Sequence, residues 1–288
     1  MTTENINNEQ EEFDTSRISI SAHYTGFVWY KHGLSHKGFV TGMGRAAYNV
    51  LRPVNALLKV FAGADIDTFL LQRHYVLDYL VEEKINEGYE QVVELAAGLS
   101  SRGYLIKQKY PNVHYVEGDL PGMSQRKAEL LDQLGRAEGH VTRPCNILLE
   151  GGELSIEALV ASLDPNKKTL FITEGLVNYF ELGVIKTVWA RMAKVMKTFP
   201  EAVYVTEVYP RLEDHPSYKY VQFAQKVVGF FTQGSYPLHY GSNEEMQQGF
   251  VDDGFSQVEV NEPEAFYDKL PMPRTKKKTL VRIVQAKA

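Results

Sequence analysis

The 288-residue chain has a single cysteine, Cys145, and cannot close an intrachain disulfide, so a reducing, cytoplasmic setting is the expectation. It lacks any apolar run near the roughly 20 residues that cross a bilayer. Residues 1–14 (MTTENINNEQEEFD) carry no basic residue and no apolar stretch, which argues against a secretion leader. Residues 1–16 read instead as a polar, acidic tail. Neither sign of charge dominates. The 31 basic and 36 acidic side chains leave a net −5, which gives no electrostatic reason to expect nucleic acid or an anionic membrane as partner. The eight histidines and one cysteine show no metal-ligand spacing, and neither a GxSxG elbow nor a Walker loop is present.

What remains is the pattern of a globular α/β protein. Residues 17–66 are first aromatic and glycine-rich (SAHYTGFVWYKHGLSHKGF is typical), then helix-like from Met43 to Phe61. Residues 67–86 place apolar side chains at helical spacing and stop at Gly88. QVVELAAG (91–98), VHYVEGDL (113–120), KTLFITEGL (168–176) and AVYVTEVY (202–209) read as strands. Helical stretches separate them near 101–109, 122–134, 153–163 and 182–198. This alternation predicts a parallel sheet with helices on both faces. A helix at 244–255 and two strands, 256–261 and 278–286, close the chain. The expected architecture is a seven-stranded Rossmann-like α/β sheet ending in a strand pair, not the six-stranded nicotinamide-binding one. One domain is expected over 17–288, with a core of 67–209 and 244–288. Residues 17–66 and 210–243 would form a helical cap over the strand ends, where open α/β sheets bind ligands.

Two features bear on the ligand. Glu94-Leu95-Ala96-Ala97-Gly98 ends the first strand in small residues, so a ligand can press against the backbone and the following helix N-terminus. Asp119, in Glu117-Gly118-Asp119-Leu120-Pro121, ends the second strand 21 residues after Gly98 (119 − 98). An acid there can accept both hydroxyls of a ribose, with Glu117 as its rival. The turn has only Gly98 and Gly103 where a pyrophosphate site normally has three glycines, so an adenosine ligand without phosphates fits better.

The runs ELAAGLSSRG, EGDLPGMSQRKAELL and Thr173-Glu174-Gly175-Leu176-Val177-Asn178-Tyr179-Phe180 resemble the leucine carboxyl methyltransferase family, in its bacterial branch of polyketide-type O-methyltransferases. The likeness runs from about residue 20 to the C-terminus. It implies a class I methyltransferase fold with a helical cap and S-adenosylmethionine as methyl donor, leaving S-adenosylhomocysteine. Carried over by residue, it implies a donor site of Glu94, Ala96, Gly98, Asp119, Leu120, Asn146, Ile147 and Glu174. Asn146 stands where the family more often has aspartate at the adenine. Arg73 matches an arginine that reaches a carboxylate of donor or acceptor.

Transfer from a sulfonium needs alignment more than acid–base help. A carboxylate acceptor is already ionised at neutral pH, whereas a hydroxyl needs a base, for which His23 and Tyr179 are the candidates. Tyr24, Trp29 and Tyr30 are candidate walls of the acceptor pocket. The expected activity is O-methylation of a carboxylate or hydroxyl on a small molecule. The alternatives are a nicotinamide-dependent oxidoreductase and a donor-binding protein without catalysis. Nucleic acid, membrane and metal are not expected partners, and the sequence is silent on oligomeric state.

Overall fold

The computed structural model describes residues 20–211, 236–275 and 278–288. The expected tail, and residues 212–235 of the second cap segment, lie outside the described residues.

Seven strands form one sheet: β1 Gln91–Leu95, β2 His114–Asp119, β3 His140–Pro144, β4 Thr169–Thr173, β5 Ala202–Val208, β6 Gln257–Asn261 and β7 Arg282–Lys287. Their order is β3-β2-β1-β4-β5-β7-β6, with β7 antiparallel to both neighbours and the rest parallel. The chain order reverses between β1 and β4, the switch point at which open sheets leave a crevice beyond their carboxyl ends.

Eight α-helices accompany the sheet among the described residues. They are α1 Ile20–Lys31, α2 Gly42–Ala62, α3 Ile66–Asn86, α4 Arg102–Lys109, α5 Pro121–Gln133, α6 Ile156–Val160, α7 Leu182–Met196 and α8 Asn243–Asp252. Strand residues alternate between two apolar layers, as a period of two requires. Val93, Leu95, Val116 and Phe171 pack with α6, α7 and α8 around Trp189 and Phe250. Val92, Tyr115, Leu170, Ile172, Val203 and Val205 face α3 and α4 through Val76, Leu77, Leu80 and Ile106. A third cluster joins α1, α2 and the start of α3 through Tyr24, Val28, Trp29, Leu51, Leu70 and Leu71. Thr41 and Asp65 cap α2 and α3 by accepting the Gly44 and Thr68 amides at 3.0 and 2.8 Å.

Three elements differ from the sequence reading. α1 is a helix that the aromatic, glycine-containing run conceals: it is apolar around most of its circumference and has no polar face to set a period. β3 escapes notice because HVTRP sits at the sheet edge, half-exposed and polar. The helix expected over 153–163 is confined to Ile156–Val160, starting where Ser155 accepts the Ala158 amide.

Candidate functional site

The last paired rung of the parallel sheet joins Leu95 to Gly118 and Thr173, and Thr173 to Thr206. The next residues along these segments are Ala96, Asp119, Glu174 and Glu207. Three carboxyl groups, of Asp119, Glu174 and Glu207, therefore stand in one row at the carboxyl ends of the strands. By alternation they fall on the face covered by α3, as do Glu94 and Glu117 two residues deeper.

At β1 the chain turns through two left-handed residues, Ala96 (φ 53°) and Gly98 (φ 49°). Alanine pays about 1–2 kcal/mol for that conformation, a strain glycine would avoid. A Cβ placed on Gly98 would meet no atom within 4 Å, so the backbone here is open to a ligand. Gly103, by contrast, is a packing glycine. A Cβ there would collide with the side chains of Glu117, His140 and Tyr115, so only glycine lets α4 lie this close to β2 and β3.

Asp119 accepts the Gly98 amide through Oδ2 at 2.6 Å and the Leu120 amide through Oδ1 at 2.8 Å. A carboxylate has about four lone-pair sites, so two remain for the hydroxyls of a sugar. Burial raises its pKa, opposed by those two amides. Glu117 is spent inside the protein. Its Oε2 pairs with Lys127 and its Oε1 lies 2.8 Å from His140 Nε2, which together overcome burial and lower its pKa. Lys127 also donates to the carbonyls of Gly98 (3.2 Å) and Ser100 (2.5 Å), bracing the turn.

Glu174 is the hub. It accepts Arg73 Nε at 3.0 Å, meets His74 Nδ1 at 2.8 Å and accepts Arg102. Burial alone would raise its pKa, but His74, Arg102 and Arg73 hold it well below the carboxylate range. Arg102 spreads its guanidinium over three acids: Asp78 and Glu94, both at 2.5 Å, and Glu174. Glu94 also accepts the Tyr115 hydroxyl at 2.7 Å, so it supports the site from within. Trp29 of α1 stacks on His74 with ring centroids 4.1 Å apart. It is the one expected pocket aromatic that touches this network.

On β5, Glu207 accepts the Gly175 amide at 2.6 Å and lies 3.7 Å from Arg73. Its Oε2 is buried and has no hydrogen-bond partner among the described residues. Burial raises its pKa to about 7; Arg73 opposes the shift and Glu174 adds to it. Asn178 fixes the neighbouring backbone, accepting the Tyr209 amide at 2.9 Å and donating to Pro237 O at 2.7 Å. Tyr236 lies edge-on to both Tyr179 and Tyr209. Ser21 of α1 meets the Tyr179 hydroxyl at 2.8 Å, so the N-terminal helix reaches over the turn after β4.

The other expected residues lie apart from the row. His23 is buried against Thr41 Oγ1 at 2.8 Å, and burial lowers its pKa. Tyr24 donates to Asp67 and accepts Asn55 inside the α1–α2–α3 cluster. Tyr30 is 39% exposed on the surface. Asn146 is held beside Asp119 by the Cys145 amide, which donates to Asp119 O at 2.6 Å; its Oδ1 accepts the Leu148 amide, and Ile147 is buried next to it.

Sequence reasoning passed over Arg102, His74, Asp78, Lys127 and Glu207. Glu207 had a legible signal, an acid near the carboxyl end of an apolar strand (AVYVTEVY), and its register with Glu174 is what gives it meaning.

Residues 55–193 match the leucine carboxyl methyltransferase family, a stretch that includes Arg73, the β1 turn, Asp119 and Glu174. Over this segment, just under half of its length, the chain is similar to that family. The family and the fold are those of S-adenosylmethionine-dependent methyltransferases. A proposed methyltransferase from Thermobifida fusca YX superimposes with a TM-score of 0.62 at 12% identity, covering 95% of this chain and 96% of that one. PigF with SAH gives 0.51 at 12% identity, over 96% of this chain and 72% of that one. An O-methyltransferase family protein from Burkholderia thailandensis gives 0.50 at 11% identity, over 85% and 59%. At these identities the likeness concerns the fold alone. The chain spans only 59–60% of the length of several solved structures it matches. No curated protein matches the sequence.

Proposed function

We propose that this protein is an O-methyltransferase for a small molecule, with S-adenosylmethionine bound along the row Ala96, Asp119, Glu174. The observation that carries the reading is that row itself: an open backbone at Gly98, an acid with spare lone pairs at Asp119 and a charged hub at Glu174, set side by side beyond adjacent strands. Carboxylates outnumber cations here, which suits a donor with a sulfonium and an ammonium. Asp119 would take the ribose hydroxyls, Asn146 and Ile147 the adenine, and Glu174 with Arg73 the amino-acid end. When bound, the donor supplies the methyl group on a positively charged sulfur. The protein's part is to align the acceptor oxygen and exclude water, with α1 and Trp29 closing over the strand ends.

The acceptor has two readings. Glu207 favours a hydroxyl. A buried carboxyl with an unpartnered oxygen and a pKa near neutrality is suited to receive the proton of a phenol or alcohol. The family's description and the Arg73 fork favour a carboxylate, although Arg73 is already engaged by Glu174 and Glu207. For a hydroxyl the sequence offered His23 and Tyr179 as bases, and Glu207 adds a third candidate. Enzyme, radiolabelled donor and a panel of phenols and carboxylic acids will separate the two. Mild alkali releases volatile methanol from an ester and leaves an ether labelled. Failure of every acceptor, together with no donor binding by calorimetry, would refute methyl transfer itself.

The two acids of β2 are expected to fail differently. Asp119→Ala weakens S-adenosylmethionine binding by about 1.5–3 kcal/mol, roughly ten- to a hundred-fold, with little change in melting temperature. Glu117→Ala strands Lys127 and His140 in the interior and lowers stability. The opposite pattern, measured by calorimetry and thermal melting, would move the ribose contact to Glu117.

A further inference from the structure

Helix α2 has two apolar faces, and only one is used. Ala47 and Leu51 pack inward against α1 and α3 and Leu58 is buried, while Met43, Ala46, Val50, Pro53, Leu57 and Val60 form a second seam spaced alternately three and four residues apart. Its large members are exposed: Met43 by 54%, Val50 by 68%, Leu57 by 57% and Val60 by 78%. The charge around this seam departs sharply from that of the whole protein. No acid occurs between Asp14 and Asp65, while Arg17, Lys31, Lys37, Arg45, Arg52 and Lys59 lie between them, in a chain of net charge −5. Arg45, Arg52 and Lys59 recur every seven residues, so they line one side of the same helix. Lys59 reaches Asp65 at 3.6 Å; Arg45, Arg52 and Lys37 make no ion pair among the described residues.

We propose that this outward face of α2 docks the protein on an anionic lipid surface. An apolar stripe flanked by cations is what a helix lying in a headgroup layer requires. The side chains enter the acyl boundary while arginine and lysine stems reach up to phosphate. The stripe is about 25 Å long and one helix wide, as a flat partner needs. A second copy fits less well. It would oppose two uniformly cationic faces over a strip well short of the ~800 Å² per partner typical of a stable interface. No described helix is long and apolar enough to cross a membrane, so the contact is peripheral. The inference stands independently of the methyl acceptor.

The test is co-sedimentation of the full chain with vesicles of phosphatidylcholine alone and with one-third phosphatidylglycerol. Binding to the anionic vesicles is expected to be at least tenfold tighter, and to weaken as salt rises. Val50→Glu/Leu57→Glu and Arg45→Glu/Arg52→Glu should each weaken it at least tenfold while leaving the melting temperature near that of the parent. Absence of binding to anionic vesicles, equal binding to both kinds, or indifference to either double substitution overturns the proposal. So does a dimer in sedimentation that Leu57→Glu dissolves, which would assign the face to a second copy. Equal retention by soluble polyglutamate, unaffected by Leu57→Glu, would reduce it to charge alone and overturn it as well.

Discussion

Arg102→Met is expected to destabilise the fold by about 3–5 kcal/mol, the usual cost of removing one partner from a buried charge cluster. Arg102 is 2% exposed and is shared by Asp78, Glu94 and Glu174. Without it, two carboxylates stay buried in an apolar layer with fewer compensating donors. The loss should be read by chemical denaturation and should appear as a fall of roughly 10 °C in melting temperature. It should also shrink on acidification. Glu174 has a depressed pKa in the folded protein, so its ionised form contributes stability above the ordinary carboxylate range, and that contribution is lost as pH falls through and below it. The variant lacks most of this contribution at neutral pH and so has less to lose in acid. Arg102→Lys keeps the charge but cannot reach three acceptors at once, so it should recover only part of the stability. A variant as stable as the parent at pH 7 would show that the cluster contributes no net stability.

Glu207→Gln carries the largest expected effect on turnover, a fall of about 10²–10⁴ in kcat with a hydroxyl acceptor. Donor affinity should fall far less than turnover, because Glu207 meets the donor site only through Arg73 and Gly175 and not at the β1 turn. The parent's kcat/KM should rise with pH through about 7 as the carboxyl ionises, and the variant's should not. Stability supplies a readout that needs no acceptor. A raised folded-state pKa means that the folded protein binds the extra proton between the ordinary carboxylate value and about 7, so stability falls as pH rises across that window. The fall is on the order of 3 kcal/mol at 1.36 kcal/mol per unit. Glu207→Gln should flatten it. Full activity with an unchanged pH profile would remove Glu207 as proton acceptor, and a base-free carboxylate acceptor would then be the better reading.

The net charge of −5 gave no reason to expect an anionic surface as partner, yet it averages an acid-free stretch of six cations with an acidic remainder. A sum over the chain loses what a helix face keeps.

The sequence by itself determined the alternation of strands and helices, the terminal strand pair, the β1 turn and the family, because these rest on local periodicity and contiguous motifs. Asp119 was legible because its distance from Gly98 along the chain reflects one strand–helix–strand unit. Glu94 and Glu117 were equally visible, but nothing local shows that their carboxylates are consumed by Arg102 and Lys127. The tertiary structure decided which partners they take. It set Glu207 in register with Glu174, laid Trp29 on His74 from 45 residues away (74 − 29), and left one apolar face of α2 uncovered. Each of these depends on which segments meet. A side chain's charge state and exposure are fixed by neighbours distant in sequence, which periodicity does not encode.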